Sequence, residues 1–230
     1  MSTTSLLALL QIADSAFPSG GFAHSYGLEQ ELRQGLVQDV AGLEAFVTSV
    51  LTQSVATCEA RATYAAARAA RDGDIQRIVT IDRALLRTRA ASELRAAGLQ
   101  TGRRLVEEAS LGAGEPALQG YAEAVRADQT LGCYPVAFGV VNAALGAEPD
   151  EIPAALMLSS ANALLQAAMR LGRISHRDAQ AILHRLRPLI VELSEAVVAD
   201  GTSPTLRAFH PLQEIASMRH ERAEARLFAS

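Results

Sequence analysis

An all-α fold, a single-domain helical bundle of roughly ten helices, is predicted by three features of this chain. It is rich in Ala, Leu and Arg, its apolar residues recur at helical spacing, and its aromatic content is only 4% with no tryptophan. With 230 residues it can bury a substantial core, and one domain over 1–230 accounts for the whole of it. There is no internal repeat and no convincing strand pattern.

The chain opens on an apolar helical run (Leu6, Leu7, Leu9, Leu10), read as a first core helix, which stops at Asp14 and Ser15. The run lacks a basic leading region, and Gln11 and Asp14 interrupt it, so it does not read as a signal peptide. A hairpin over 14–25 follows, with the turn Phe17-Pro-Ser-Gly-Gly-Phe22 at its centre. Gly20 and Gly21 permit positive φ, and Pro18 pushes Phe17 towards an extended backbone. Phe17 and Phe22 then either pack down on the core as a plain connection or stand on a defined turn suited to docking.

A short helix from Tyr26 to Gln34 is ended by Gly35, and Asp39 is placed to cap the next. Leu43, Phe46, Val47, Val50 and Leu51 give the strongest amphipathic pattern in the chain, continued by the alanine-rich 60–70 stretch as far as Asp72-Gly73. Asp74 caps a helix bearing Ile78, Val79, Leu85 and Leu86, and another runs from Ser92 to Leu111. In that helix Gly98 and Gly102 sit one turn apart, which points to a closely approaching backbone. After a break at 112–116, Ala117–Ala127 is helical, and Leu131-Gly-Cys-Tyr-Pro135 turns into Val136–Leu145, apolar nearly all round and therefore central.

A loop at 146–153 leads into the apolar helix Ala154–Leu171. Ser175 and Asp178 form a capping box for the next helix, which carries Pro188 in its interior. The 200–204 stretch reads as a linker. Beyond it lie a short helical stretch with Leu212, Ile215 and Met218, and a charged tail over 221–230. Leu227 and Phe228 are too short an apolar pair to nucleate a helix, so the free tail is expected to fray.

Charge and composition exclude several functions. The net charge of −4 gives no field for nucleic acid or an anionic membrane. All 21 basic residues are arginine, so neither a P-loop lysine nor a lysine Schiff base is available. Cys58 and Cys133 form neither a CxxC pair nor a disulfide framework, which fits buried thiols in a reducing, cytoplasmic setting. No uninterrupted apolar run reaches the roughly 18–20 residues of a membrane span.

Candidate chemistry is sparse. The five histidines, His24, His176, His184, His210 and His220, show no metal-ligand spacing, so no tightly bound metal and no resident cofactor are expected. His24 beside Ser25 could serve a helical hydrolase, yet there is no GxSxG elbow and no evident third member. The carboxylates Glu107, Glu108, Asp150 and Glu151 lie on polar faces or in loops. No catalytic residue is assigned, and a binding module is favoured over an enzyme. A helical regulator of another kind is the remaining alternative.

Four motifs then align with one family. Leu10-Gln-Ile-Ala-Asp-Ser-Ala-Phe-Pro-Ser-Gly-Gly-Phe-Ala-His-Ser-Tyr-Gly-Leu-Glu29 and the closing Met218-Arg-His-Glu221 with Arg226-Leu-Phe-Ala-Ser230 resemble the two ends of urease accessory protein F (UreF). Glu93-Leu-Arg-Ala-Ala-Gly-Leu-Gln-Thr-Gly-Arg-Arg104 and Tyr134-Pro-Val-Ala-Phe-Gly139 are similar to its internal motifs, in the same order. The 147–175 stretch matches less closely, and Phe22 stands where some members carry tyrosine.

The resemblance implies an all-α homodimer that joins accessory protein D (called H in some organisms) and recruits the GTPase accessory protein G. That assembly delivers nickel to apo-urease, with nickel only in transit through it. It implies a scaffold in which the opening hairpin and the tail order at partner interfaces, and Arg226 matches the family's tail arginine. On these grounds the partner-binding residues are expected to be Phe17, Phe22, His24, Arg219, His220, Arg226, Leu227 and Phe228.

Overall fold

A computed structural model describes residues 2–21, 24–111, 114–202, 205–208, 210–221 and 227–228, with Leu212 described for its backbone alone. The described residues form eleven α-helices and one π-helical segment, with no strand among them. In order these are α1 (Thr3–Ala13), α2 (Leu28–Arg33), α3 (Val40–Val50), the π segment (Leu51–Glu59), α4 (Ala60–Arg71), α5 (Ile75–Leu86) and α6 (Ser92–Ser110). Then come α7 (Pro116–Arg126), α8 (Tyr134–Ala144), α9 (Ile152–Arg170), α10 (His176–Ala199) and α11 (Pro211–His220).

Local chemistry starts and stops these helices where the sequence says it should. Asp39 accepts from the amide of Gly42 at 2.7 Å and Asp74 from that of Arg77 at 2.9 Å. Ser175 and Asp178 close a reciprocal capping box on α10. Gly35 and Gly73 end their helices with φ near +70°.

The centre of the bundle is α4 against α8. Small side chains at Ala62, Ala65, Ala66 and Ala69 let the two backbones meet, and α8 is buried around its whole circumference from Val136 to Ala143. A Cβ at Gly139 would lie 2.3 Å from the carbonyl oxygen of Thr63, so glycine is required there. Thr63 completes the joint by donating to the Pro135 carbonyl at 2.8 Å.

Of the two glycines in α6, only one fits the close-approach reading. A Cβ at Gly102 would fall 2.2 Å from the Gly132 carbonyl oxygen, whereas Gly98 has open space beside it. The long helix read across 40–71 is continuous but changes hydrogen-bonding pattern at 51–59, which the apolar period did not signal. Thr52 and Thr57 turn their hydroxyls back onto the carbonyls of Thr48 and Gln53, and such bonds compete with the main-chain ladder.

The first helix is less central than expected. Leu9 and Ile12 are buried, but Leu6, Leu7 and Leu10 are 41%, 62% and 58% exposed, because α1 lies on the outside of α8 and α9. By length and composition α9 could cross a membrane, but half of its apolar window is buried inside the protein.

Candidate partner-docking site

Two buried carboxylates organise the regions that the sequence motifs mark. The first is Asp82 on α5. Its oxygens accept from the amides of Leu131, Gly132 and Cys133 at 3.2, 2.8 and 2.8 Å, from Thr130 Oγ1 at 2.6 Å and from Tyr121 Oη at 3.3 Å. This cluster fixes the turn that launches α8. Burial, together with the nearby Asp82 charge, pushes the Tyr121 hydroxyl well above its ordinary range and the Cys133 thiol likewise upward, so both stay neutral.

The second is Glu29 on α2, 1% exposed. His220, the last residue of α11, donates from Nε2 to Glu29 Oε2 at 3.0 Å, and its Nδ1 faces Glu93 Oε2 of α6, also at 3.0 Å. Arg33 reaches Glu29 Oε1 at 2.6 Å from one turn along α2.

The tail completes the site. The amides of Leu227 and Phe228 donate to Glu29 Oε1 and Oε2 at 3.1 and 3.2 Å. Phe228 is buried, with the guanidinium of Arg170 4.4 Å above its ring centre. Leu227 stays 75% exposed. The sequence offered no visible anchor for this tail; at these two residues the anchor is Glu29. Burial works to raise the Glu29 carboxyl, but the bonds from His220 and the two tail amides, with the Arg33 charge, outweigh it and hold the group below the usual carboxylate value.

α11 is itself tied to the opening segment. Gln213 Nε2 donates to the Tyr26 carbonyl at 3.2 Å, and a Cβ at Gly27, where φ is +87°, would lie 3.1 Å from the Gln213 carbonyl oxygen. His210 caps the helix by accepting from the Gln213 amide at Nδ1, and its Nε2 meets Ser49 Oγ at 3.0 Å. Glu214 accepts from the Ala91 amide at 2.6 Å and pairs with Arg89, which also binds Glu59. Behind this joint lies a cavity of about 150 Å³ whose lining includes Tyr26, Ser54, Thr101, Tyr134 and Arg170. Burial raises the Tyr26 hydroxyl strongly and pushes that of Tyr134 up to about 12.

Of the residues expected at a partner surface, His220 and Phe228 are brought together around Glu29. Leu227 joins them by its backbone, and Arg219 is exposed nearby, donating to Gln34 Oε1 at 2.9 Å. Phe17 is half-buried against the core. His24 and Ser25 are 4% and 0% exposed, and burial lowers the His24 value, so neither presents a nucleophile or base to solvent. Phe22 and Arg226 lie outside the described residues. Among the described residues no group of three or more His, Cys, Asp or Glu is placed to hold a metal ion.

A family model described as UreF matches residues 37–187. The chain belongs to the UreF family. Similar relatives include proteins named urease accessory protein UreF from Photorhabdus laumondii, Yersinia pseudotuberculosis and Yersinia enterocolitica. They are 32%, 31% and 30% identical over 230 residues, each covering 100% of both chains. The UreF model spans Asp82 and Glu93, while Glu29 and His220 fall outside it but within the full-length relatives.

Reading the UreF-family sequence by residue type missed Asp82, Glu29 and Glu93. For Asp82 a signal was present: it interrupts the apolar stripe of Ile78, Val79, Leu85 and Leu86 at core spacing. Glu29 sits in a helix of six residues, too short to show a period.

Proposed function

We propose that this UreF-family chain is a non-catalytic accessory protein of urease maturation, whose joined ends form the docking face for accessory protein D or H. In this reading the resulting complex recruits the GTPase accessory protein G and passes nickel, held only in transit, to apo-urease. The chain works as a cytoplasmic homodimer and carries no resident cofactor. What supports the reading, beyond the names of the relatives, is one observation: the opening segment and the tail, remote in sequence, meet at Glu29. The burial of His24 and Ser25 speaks against the hydrolase alternative.

The test is capture of the D-type partner by wild type and by Arg226→Ala, beside circular dichroism of each isolated chain. Loss of an arginine from a desolvated interface costs about 2 kcal/mol, roughly thirtyfold in affinity. Weakened capture with unchanged helical content is expected. Undiminished capture would remove the tail from the interface.

A further inference from the structure

We infer that the cavity behind the α11 joint is a binding site for one small neutral molecule, with an apolar body and an oxygen that accepts hydrogen bonds from Ser54 and Thr101. The site goes beyond the docking role and does not depend on it. Its size is about 150 Å³, roughly the space that one benzene-sized ring fills. Much of the wall is aliphatic, with Val55 of the π segment, Leu94 of α6, and Leu156 and Leu164 of α9 among its buried members. An apolar pocket with a few polar groups converging on it is the usual form of a small-molecule site.

Two hydroxyls on this wall break a pattern that five others in the helices follow. Thr52, Thr57, Thr80, Ser110 and Ser160 each donate to the carbonyl four residues back, at 2.5 to 2.9 Å. Ser54 of the π segment and Thr101 of α6 are 1% and 2% exposed, and among the described residues neither hydroxyl has a hydrogen-bond partner. A buried hydroxyl left unpaired is costly, and an acceptor placed beside it relieves that cost. Ser217 shares the lack of a partner but is not on this wall.

Gly98 supplies an independent observation. It lines the same cavity, three residues before Thr101 and so on the same face of α6. Glycine is a poor helix former, and at Gly102 a neighbouring backbone demands it. At Gly98 a Cβ would meet nothing within 4 Å. No packing contact requires the glycine; what its missing side chain does is leave room beside Thr101.

The charges on the wall are engaged elsewhere, and this sets the class of ligand. Arg89 pairs with Glu59 and Glu214, and Arg95 donates to the carbonyls of Arg89 and Ala90. Arg170 donates to the Gln166 carbonyl and covers the Phe228 ring, while Asp14 accepts from the Ala16 amide. A neutral ligand leaves all these pairings intact. Burial keeps the Tyr26 and Tyr134 hydroxyls protonated, so the wall presents neutral donors and the complementary ligand accepts.

The probe is cyclohexanone, whose carbonyl accepts but cannot donate, set against methylcyclohexane, which has a similar shape and no polar atom. Residue-resolved NMR of the isolated full chain, titrated with each, reads the amides of Ser54, Val55, Gly98 and Thr101, with those of Asp72 and Gly73 as a remote control. Wild type is expected to bind cyclohexanone more tightly than methylcyclohexane. Thr101→Val removes the hydroxyl at nearly constant shape, so it should weaken cyclohexanone by roughly fivefold and leave methylcyclohexane unchanged. Gly98→Ala puts a methyl into the space and should weaken both probes by roughly tenfold or more, without lowering the melting temperature.

No cyclohexanone-dependent shift at the wall amides, the result for a cavity that takes water alone, would overturn the site. So would Thr101→Val binding cyclohexanone as tightly as wild type, or Gly98→Ala binding both probes undiminished. Should Thr101→Val lose helical content, Ser54→Ala repeats the hydroxyl test from the π segment. No partner enters the titration, so a failed ligand site is distinguishable from a failed docking role, which the capture experiment with Arg226→Ala reads separately.

Discussion

Asp82 and Glu29 are both carboxylates taken out of water and saturated with donors, yet they belong to different kinds of structure. Among the described residues, the side-chain partners of Asp82 are neutral and come from the interior of the chain: Tyr121, Thr130 and three successive amides of one turn. The partners of Glu29 are an arginine, an ionisable histidine and two amides within four residues of the chain end. A buried charge satisfied by fixed neutral dipoles is a permanent joint. One satisfied by a titratable group and a terminal segment can be undone at little cost to the rest. The difference separates what builds the bundle from what makes it responsive.

Breaking the permanent joint should have the largest effect. Asp82→Ala strands four buried donors and the half-buried Leu131 amide, each buried one costing about 1–3 kcal/mol when unsatisfied, so a loss of at least about 3 kcal/mol is expected in chemical denaturation. Gly102→Ala attacks the same turn from the other side, since the new methyl would overlap the Gly132 carbonyl. It should cost about 2 kcal/mol or more and lower the melting temperature by several degrees.

Glu29→Gln should be milder and local. The amide oxygen can still accept, but the charge that draws His220, Arg33 and the tail together is gone, and a cost of about 1 kcal/mol is expected in the melt. The wild-type carboxyl is held below its ordinary range, so its contribution to docking is fully present above the unfolded value. It is lost as pH falls through the lower, folded one. Tail exchange should therefore quicken in strong acid in wild type and show no such acid limb in Glu29→Gln. At the small end, Arg185→Ala removes a surface pair with Glu44 and should leave denaturation curves unchanged.

The contrast also shows what was legible from sequence. Helix starts at Asp39, Asp74 and Ser175 and stops at Gly35 and Gly73 could be read because capping is written in neighbouring residues. The centrality of the Val136–Leu145 stretch was legible because it is apolar on every side. The π segment was hidden, since the apolar spacing around Leu51 looks the same in either helix type. The exposure of Leu6, Leu7 and Leu10 depends on where α1 lands, which no local pattern encodes. The cluster around Glu29 was half visible: motif resemblance singled out His220 and Phe228, but not the carboxylate that joins them. Glu29 gains its meaning from partners 191 and 199 positions away.

One measurement sets the two carboxylates side by side: residue-resolved hydrogen exchange of Glu29→Gln against wild type. The amides of Leu227 and Phe228 report on Glu29, and those of Leu131, Gly132 and Cys133 report on Asp82. The expected result is protection lost by roughly tenfold or more at the first pair and unchanged at the second set. Loss at both, or at neither, would contradict the division of the molecule into a permanent core joint and a releasable tail joint.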